Sequence, residues 1–244
     1  MSKMWSIARR EWNSYFATPL AYVFIAIFLM LSAAFTFYLG NFYERGQADL
    51  LPFFNFHPWL YLFLVPAISM RSWAEERKSG TLELLLTLPL KLRDAVLGKF
   101  FAAWGVVGLS LLLTFPIWLT VNYLGDPDNG AILASYLGSF IMAGAFLAIG
   151  QAISALTNNQ VVAFILTVVV CLLLILAGHP MVLDVFSGWA PQSVVDTIAS
   201  FSFLAHFDAI QKGVIDIRDL IYFGGLMATW LIATAIIIDM KKAD

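Results

Sequence analysis

Six long apolar stretches, none containing an Asp, Glu, Lys or Arg, constrain this chain more than any other feature. They are Leu20–Leu39, Phe53–Met70, Phe100–Tyr123, Ala131–Leu156, Val161–Gly178 and Leu220–Ile238. A helix needs about 20 mostly apolar residues to cross a bilayer, with a range of roughly 17–25. Inside hydrocarbon each backbone polar group must be satisfied within its own segment, so runs of this kind form helices. The expectation is an all-α membrane protein with six transmembrane helices, in a single domain covering residues 1–244. Composition agrees. Hydrophobic residues make up 61% of the chain, against roughly 45–50% in soluble domains. Charged residues are only 12%, too few to wet a soluble surface or to build the basic face that nucleic acid requires. The first stretch is longer than the roughly 7–15 residues of a signal-peptide core, and Thr18-Pro19 separates it from the basic residues before it. It is read as a permanent helix. Pro66 and Pro116 fall inside the second and third stretches, where they should kink or unwind the helix.

Basic residues set the orientation. With six spans, 11 of the 14 Lys and Arg fall on the side that carries both termini, and only Arg45, Lys212 and Arg218 fall on the other. Nine of the 16 acids lie on that other side. Both termini are therefore expected in the cytoplasm.

Residues 1–19 should form an amphipathic interfacial helix. Trp5, Ala8, Trp12, Tyr15 and Phe16 share one face at helical spacing, opposite Lys3, Ser6, Arg10, Asn13 and Ser14. It serves as an anchor, or as an anchor that also touches a cytoplasmic partner. Residues 179–219 are external yet rich in apolar residues, among them Val194, Val195, Ile198, Phe201, Phe203, Leu204 and Phe207. A solvated loop would not carry them, and a pair of short helices dipping back into the outer leaflet would. In the fourth stretch, Ala134–Gly138, Ser139–Ala143 and Gly144–Ala148–Ala152 repeat small residues at four-residue spacing. Such rows let helix backbones approach closely, within one chain or across a dimer face.

The one polar segment of substance is the cytoplasmic loop 71–99. Its charges run up to Ser79-Gly80, and Gly80 can stop a helix in a left-handed conformation. Thr81 can cap the next helix, with Glu83 near its positive end. Leu82, Leu84, Leu85, Leu86 and Leu88 follow, and Pro89 ends the run. This cluster is too short to span a membrane. It is either a docking surface or an interfacial helix that merely connects two spans.

The run from Glu75 to Pro89, with Gly98-Lys99 after it, resembles the signature of ABC-2 type transporter permeases. It is most similar to the branch holding the gliding-motility and nitrous-oxide-reductase-maturation permeases. The likeness extends over the whole chain, including Ala8-Arg9-Arg10-Glu11 at the start and Phe207–Ile215 at the end of the external segment. The resemblance implies that residues 71–99 form a coupling loop resting in a groove of an ATPase subunit. Glu75, Glu76, Arg77, Gly80, Thr81, Glu83, Leu84 and Leu85 would then be the coupling residues. It further implies two copies of an ABC ATPase, which would bind ATP and Mg, and a second permease chain, same or related. An accessory membrane or periplasmic protein and a bacterial inner-membrane location complete that picture.

An enzyme reading finds little support. His57, His179 and His206 show no metal-ligand spacing, and His57 and His179, each beside a proline, read as membrane-edge residues. There is no P-loop, no Gly-x-Ser-x-Gly elbow, and the single Cys171 can form no internal disulfide. No cofactor is expected in this chain. The lack of Asp, Glu, Lys and Arg in the spans argues against ion coupling and for energy supplied by a partner. The expected function is an ATP-driven permease, an exporter of unspecified cargo. The rival is a membrane anchor or assembly scaffold.

Overall fold

The computed structural model describes residues 3–83, 91–188 and 190–241. Among these residues the chain is built of helices alone. α1 (Lys3–Ala17) precedes α2 (Leu20–Ala34), which ends in a π-helical turn at Phe35–Leu39. α3 (Leu51–Phe54), α4 (His57–Ser69) and α5 (Arg71–Lys78) follow one another nearly end to end. α6 (Leu92–Leu112) and α7 (Phe115–Leu124) form the next column, followed by α8 (Asn129–Leu156) and α9 (Gln160–Leu176). Three short helices come next: α10 (Pro180–Ser187), α11 (Gln192–Ser200) and α12 (Phe203–Gln211). α13 (Ile217–Met240) completes the chain.

Among the described residues, five helical columns are long and apolar enough to cross a membrane: Leu20–Leu39, Leu51–Lys78, Leu92–Leu124, Asn129–Leu156 and Ile217–Met240. α9 matches the remaining expected span but is shorter, at 17 residues. The chain is thus a multi-pass membrane protein. The breaks fall close to the prolines. α6 gives way to α7 at Leu113–Thr114, and Pro116 sits in the first turn of α7, where its missing N–H costs nothing. Pro66 lies within α4 without breaking it, and α4 gives way to α5 at Met70, whose N–H still reaches the Pro66 carbonyl.

The core is organised around α8, which packs against α4, α5, α6, α9, α12 and α13. Its small residues explain this. Ala134, Gly138, Ser139, Ala143, Gly144, Ala148 and Ala152 are all buried inside the chain, so intrachain packing accounts for the row. With lipid as apolar as the core, close van der Waals contact drives such packing. α1 lies along α6. Ile7 closes on Gly98, where a Cβ would collide with it, and Trp12 lies across the backbone at Gly105. Trp12, Tyr15 and Phe16 are half-buried as the apolar face predicts, while Trp5 is exposed.

Residues 179–219 hold three short helices rather than two, and the last two are bent by 63° to one another. Val195, Phe203, Phe207 and Ile210 are buried, Ile198 and Leu204 are half-buried, and Val194 and Phe201 are exposed. α12 therefore carries most of the apolar contact, with Phe203 against Phe146 of α8. His206 pins this segment to the head of α13. Its Nδ1 lies 2.6 Å from Asp219 Oδ1, and its ring stacks on Tyr222.

One reading of the sequence is corrected here. His57 is not a membrane-edge residue but is fully buried, ringed by Phe28, Phe53, Phe54 and Tyr61. Its Nδ1 lies 2.7 Å from Ser139 Oγ, and the Tyr61 hydroxyl is 2.7 Å from the same oxygen. A buried imidazole needs such a partner, and Ser139, distant in sequence, supplies it only once α4 and α8 meet.

Candidate functional site

At one end of the bundle five strands of chain converge: α1, α5 with the turn after it, the start of α6, the end of α8 and the end of α13. The loop 71–99 begins there. α5 runs to Lys78, and Ser79 and Gly80 then close it. The Ser79 N–H bonds the Glu75 carbonyl and the Gly80 N–H bonds the Arg77 carbonyl. Gly80 has φ +71°, the left-handed conformation in which a side chain is strained, as the sequence predicts. Residues 81–83 turn into a new helix. The Thr81 hydroxyl reaches back, donating to the Glu76 carbonyl at 3.3 Å and lying 2.9 Å from Ser79 Oγ. Its side chain thereby ties the turn to the helix before it. Leu82 is buried with Ile7, Trp73, Val96 and Ile238, whereas Thr81 and Glu83 are exposed. Leu84 and Leu85, together with Leu86, Leu88 and Pro89, lie outside the described residues.

Arg71, Glu75, Glu76 and Arg77 of α5 are held rather than free. Glu75 takes a two-pronged contact from Arg71, at 2.7 and 3.0 Å, and that hydrogen bonding holds its carboxyl below the usual carboxylate range. Arg77 donates to the Ala155 carbonyl at 3.1 Å, and Lys241 donates to the Leu156 carbonyl at 2.7 Å. Both cations thus satisfy carbonyls that the C-terminus of α8 leaves without helical partners. Ser154 joins α8 to the break between α4 and α5. Its hydroxyl accepts from the Trp73 and Ala74 N–H groups, at 3.1 Å each, and donates to the Met70 carbonyl at 2.8 Å. One turn away, the Gln151 side-chain amide donates to the Val96 carbonyl at 3.0 Å.

Glu76 pairs with Lys99 of α6 at 2.8 Å. The same ammonium reaches Glu11 of α1 at 3.2 Å and sits 5.2 Å from the Trp73 ring centroid. Lys99 is only 5% exposed. Glu11 is also held by Arg10 at 2.7 Å. Burial alone would raise the Glu11 pKa, but the charge of Lys99 and the contact with Arg10 outweigh it and hold the carboxyl below its usual value. Burial pushes the Tyr15 hydroxyl well above its ordinary pKa, and the nearby Glu11 carboxylate adds to this. A cavity of about 550 Å³ opens between α1 and α5, with Arg10, Glu11, Tyr15, Arg71, Glu75 and Lys99 on its walls. A mixed-charge cavity of this kind offers matched partners to polar side chains.

The structure therefore gathers Glu75, Glu76, Arg77, Gly80, Thr81 and Glu83 at one end of the bundle. It adds residues that the sequence reading did not single out, Arg71, Ser154 and Gln151, with Glu11 and Lys99 noted only as parts of the resemblance. Glu11 did carry a signal, as the sole acid before Glu44 on a helix whose polar face is otherwise basic. Among the described residues, no group of His, Cys, Asp and Glu is arranged to hold a metal.

Comparison with known proteins settles the class. The family described as ABC-2 family transporter protein matches residues 5–238. The chain belongs to the ABC-2 transporter family. A similar protein is the heme exporter protein B of Paracoccus denitrificans, 36% identical over 92 residues. That match covers 36% of this chain and 42% of the relative, so the chain spans about two fifths of the length of the curated relative it matches. The family is that of a membrane permease, which is not itself the catalytic subunit.

Proposed function

We propose that the chain is the membrane-spanning subunit of an ATP-driven exporter in a bacterial inner membrane, and that residues 71–99 seat a separate ABC ATPase. The observation that carries this reading is the inward bracing of α5. Glu76 and Arg77 are turned into the bundle, onto Lys99 and the Ala155 carbonyl, while Gly80, Thr81 and Glu83 are exposed at the tip. A helix braced in this way fixes where the loop leaves the bundle, and the sequence places a leucine-rich run directly after it. A short apolar run with a charged rim has the make-up of a protein interface, in which buried apolar anchors carry most of the energy. The terminal end faces the cytoplasm in this reading, in line with its 11 basic residues.

The working complex is two ATPase subunits, which bind ATP and Mg, with two permease chains, same or related, and an accessory membrane or periplasmic protein. The signature in residues 75–89 supports the branch of gliding-motility and nitrous-oxide-reductase-maturation permeases. The similarity to heme exporter protein B of Paracoccus denitrificans makes heme the first cargo to test. Co-expression with an ABC ATPase of the same organism, followed by purification through a tag on the permease, tests the reading. Retention of the ATPase with stimulated ATP hydrolysis is expected. A correctly inserted permease that retains no ATPase would refute it.

A further inference from the structure

The loop 71–99 leaves the bundle at Arg71 and re-enters at Lys99, so the Glu76–Lys99 pair joins its exit to its return. Lys99 does more than close the loop, because its ammonium also holds Glu11 on the interfacial helix. Three separate helices, α1, α5 and α6, thus meet at one buried nitrogen. The contact is not a surface ion pair of negligible worth: Lys99 is almost fully buried, with the Trp73 ring against it. A buried cation with two carboxylates fixes geometry more reliably than it adds stability. α1 is already seated on α6 through Ile7 at Gly98 and Trp12 at Gly105. What links that pair to α5 is the ammonium, beside a cavity whose walls include Tyr15 of α1 and Ser72 of α5.

We propose that Lys99 is a positioning residue that yokes α5 to α1 and α6, so that a displacement of the loop tip carries the interfacial helix with it. This rests on the reading that residues 71–99 seat an ATPase, and it names the route by which the ATPase's motion enters the membrane domain. α1 is then a moving part of the transport cycle and not a passive anchor. Without the cation, the loop could be seated and displaced while α1 stays where it is.

The test uses the permease–ATPase complex in lipid nanodiscs, with an environment-sensitive fluorophore on Trp5→Cys, an exposed position on α1. Cys171 is buried and does not compete for the label. The wild-type background should show a spectral shift on adding ATP. Lys99→Met should retain the ATPase and its stimulated hydrolysis but lose the shift, and Lys99→Arg, which restores the cation, should regain it. Where Lys99→Met alone fails to fold, Glu11→Gln/Lys99→Met removes a carboxylate along with the cation and carries the same expectation. A merely structural role would lower ATPase retention and the shift together, with no separation between them. Lys99→Met with the ATPase retained and the ATP-dependent shift intact would overturn the yoke and leave the docking reading standing. A wild-type chain that retains no ATPase would overturn both.

Discussion

Replacing Ser154 with Ala removes one oxygen and should loosen the base of the loop. In the native fold that oxygen receives the Trp73 and Ala74 N–H groups and donates to the Met70 carbonyl, all three in the interval where α4 passes into α5. Ser154, Trp73 and Ala74 are fully buried, so water cannot substitute for the hydroxyl. A buried donor left without an acceptor costs about 1–3 kcal/mol. Ala74 can fall back on the Met70 carbonyl one helical turn behind it, which the lost hydroxyl vacates, so one orphan donor remains at Trp73. The expected destabilisation is about 2 kcal/mol. Equilibrium unfolding in mixed micelles by SDS titration would read it, with the exposed Ser193→Ala on α11 as a control expected within about 0.5 kcal/mol of wild type. Proteolysis at Lys78, which follows the loosened turn, should also accelerate in Ser154→Ala. A cost no larger than that of the control, with unchanged proteolysis, would refute the claim that Ser154 joins α8 to the loop.

Three further outcomes follow from the same geometry. A reporter fused to the C-terminus should respond as cytoplasmic and one at Asn129 as external; the same response at both would break the six-span topology. Cysteines placed at Phe203 and Phe207 should resist a water-soluble maleimide and one at Asp128 should react readily, since the first two are buried on the inner face of α12; equal labelling would reduce residues 179–219 to an ordinary loop. Glu11 has a folded-state pKa below its ordinary value of 4.5, so its contribution to stability is complete above that value and is lost as pH falls through the lower folded-state pKa. Unfolding measured from pH 7 downward should show this acid loss, and Glu11→Gln should flatten it; an identical acid profile in the variant would refute the assignment.

The spans are legible in the sequence because a bilayer imposes a length and a composition that few other structures share. The turn at Gly80 is legible for a similarly local reason, since a left-handed residue between a charged run and a leucine run has few alternatives. The partners across the bundle are not. His57 reads as a boundary residue beside Pro58 until Ser139 is brought against it by helix packing. Lys99 reads as an ordinary basic residue at a membrane edge, because nothing in its neighbourhood hints at Glu11 or Glu76. Ser154 sits among small residues of α8 that serve close approach, and its hydroxyl acquires a use only when the α4–α5 break lies alongside. Local chemistry specified the elements, while the contacts that brace the loop arise from tertiary arrangement.

The docking claim itself is tested most directly at Leu84. A buried apolar anchor typically costs about 2 kcal/mol or more when truncated, and a charge placed there costs further desolvation. Leu84→Asp should insert with its spans intact, because the change lies outside the apolar stretches, yet should lose both ATPase co-purification and stimulated ATP hydrolysis. A Leu84→Asp protein that inserts correctly and binds the ATPase as well as wild type would contradict the coupling assignment and favour a membrane scaffold instead.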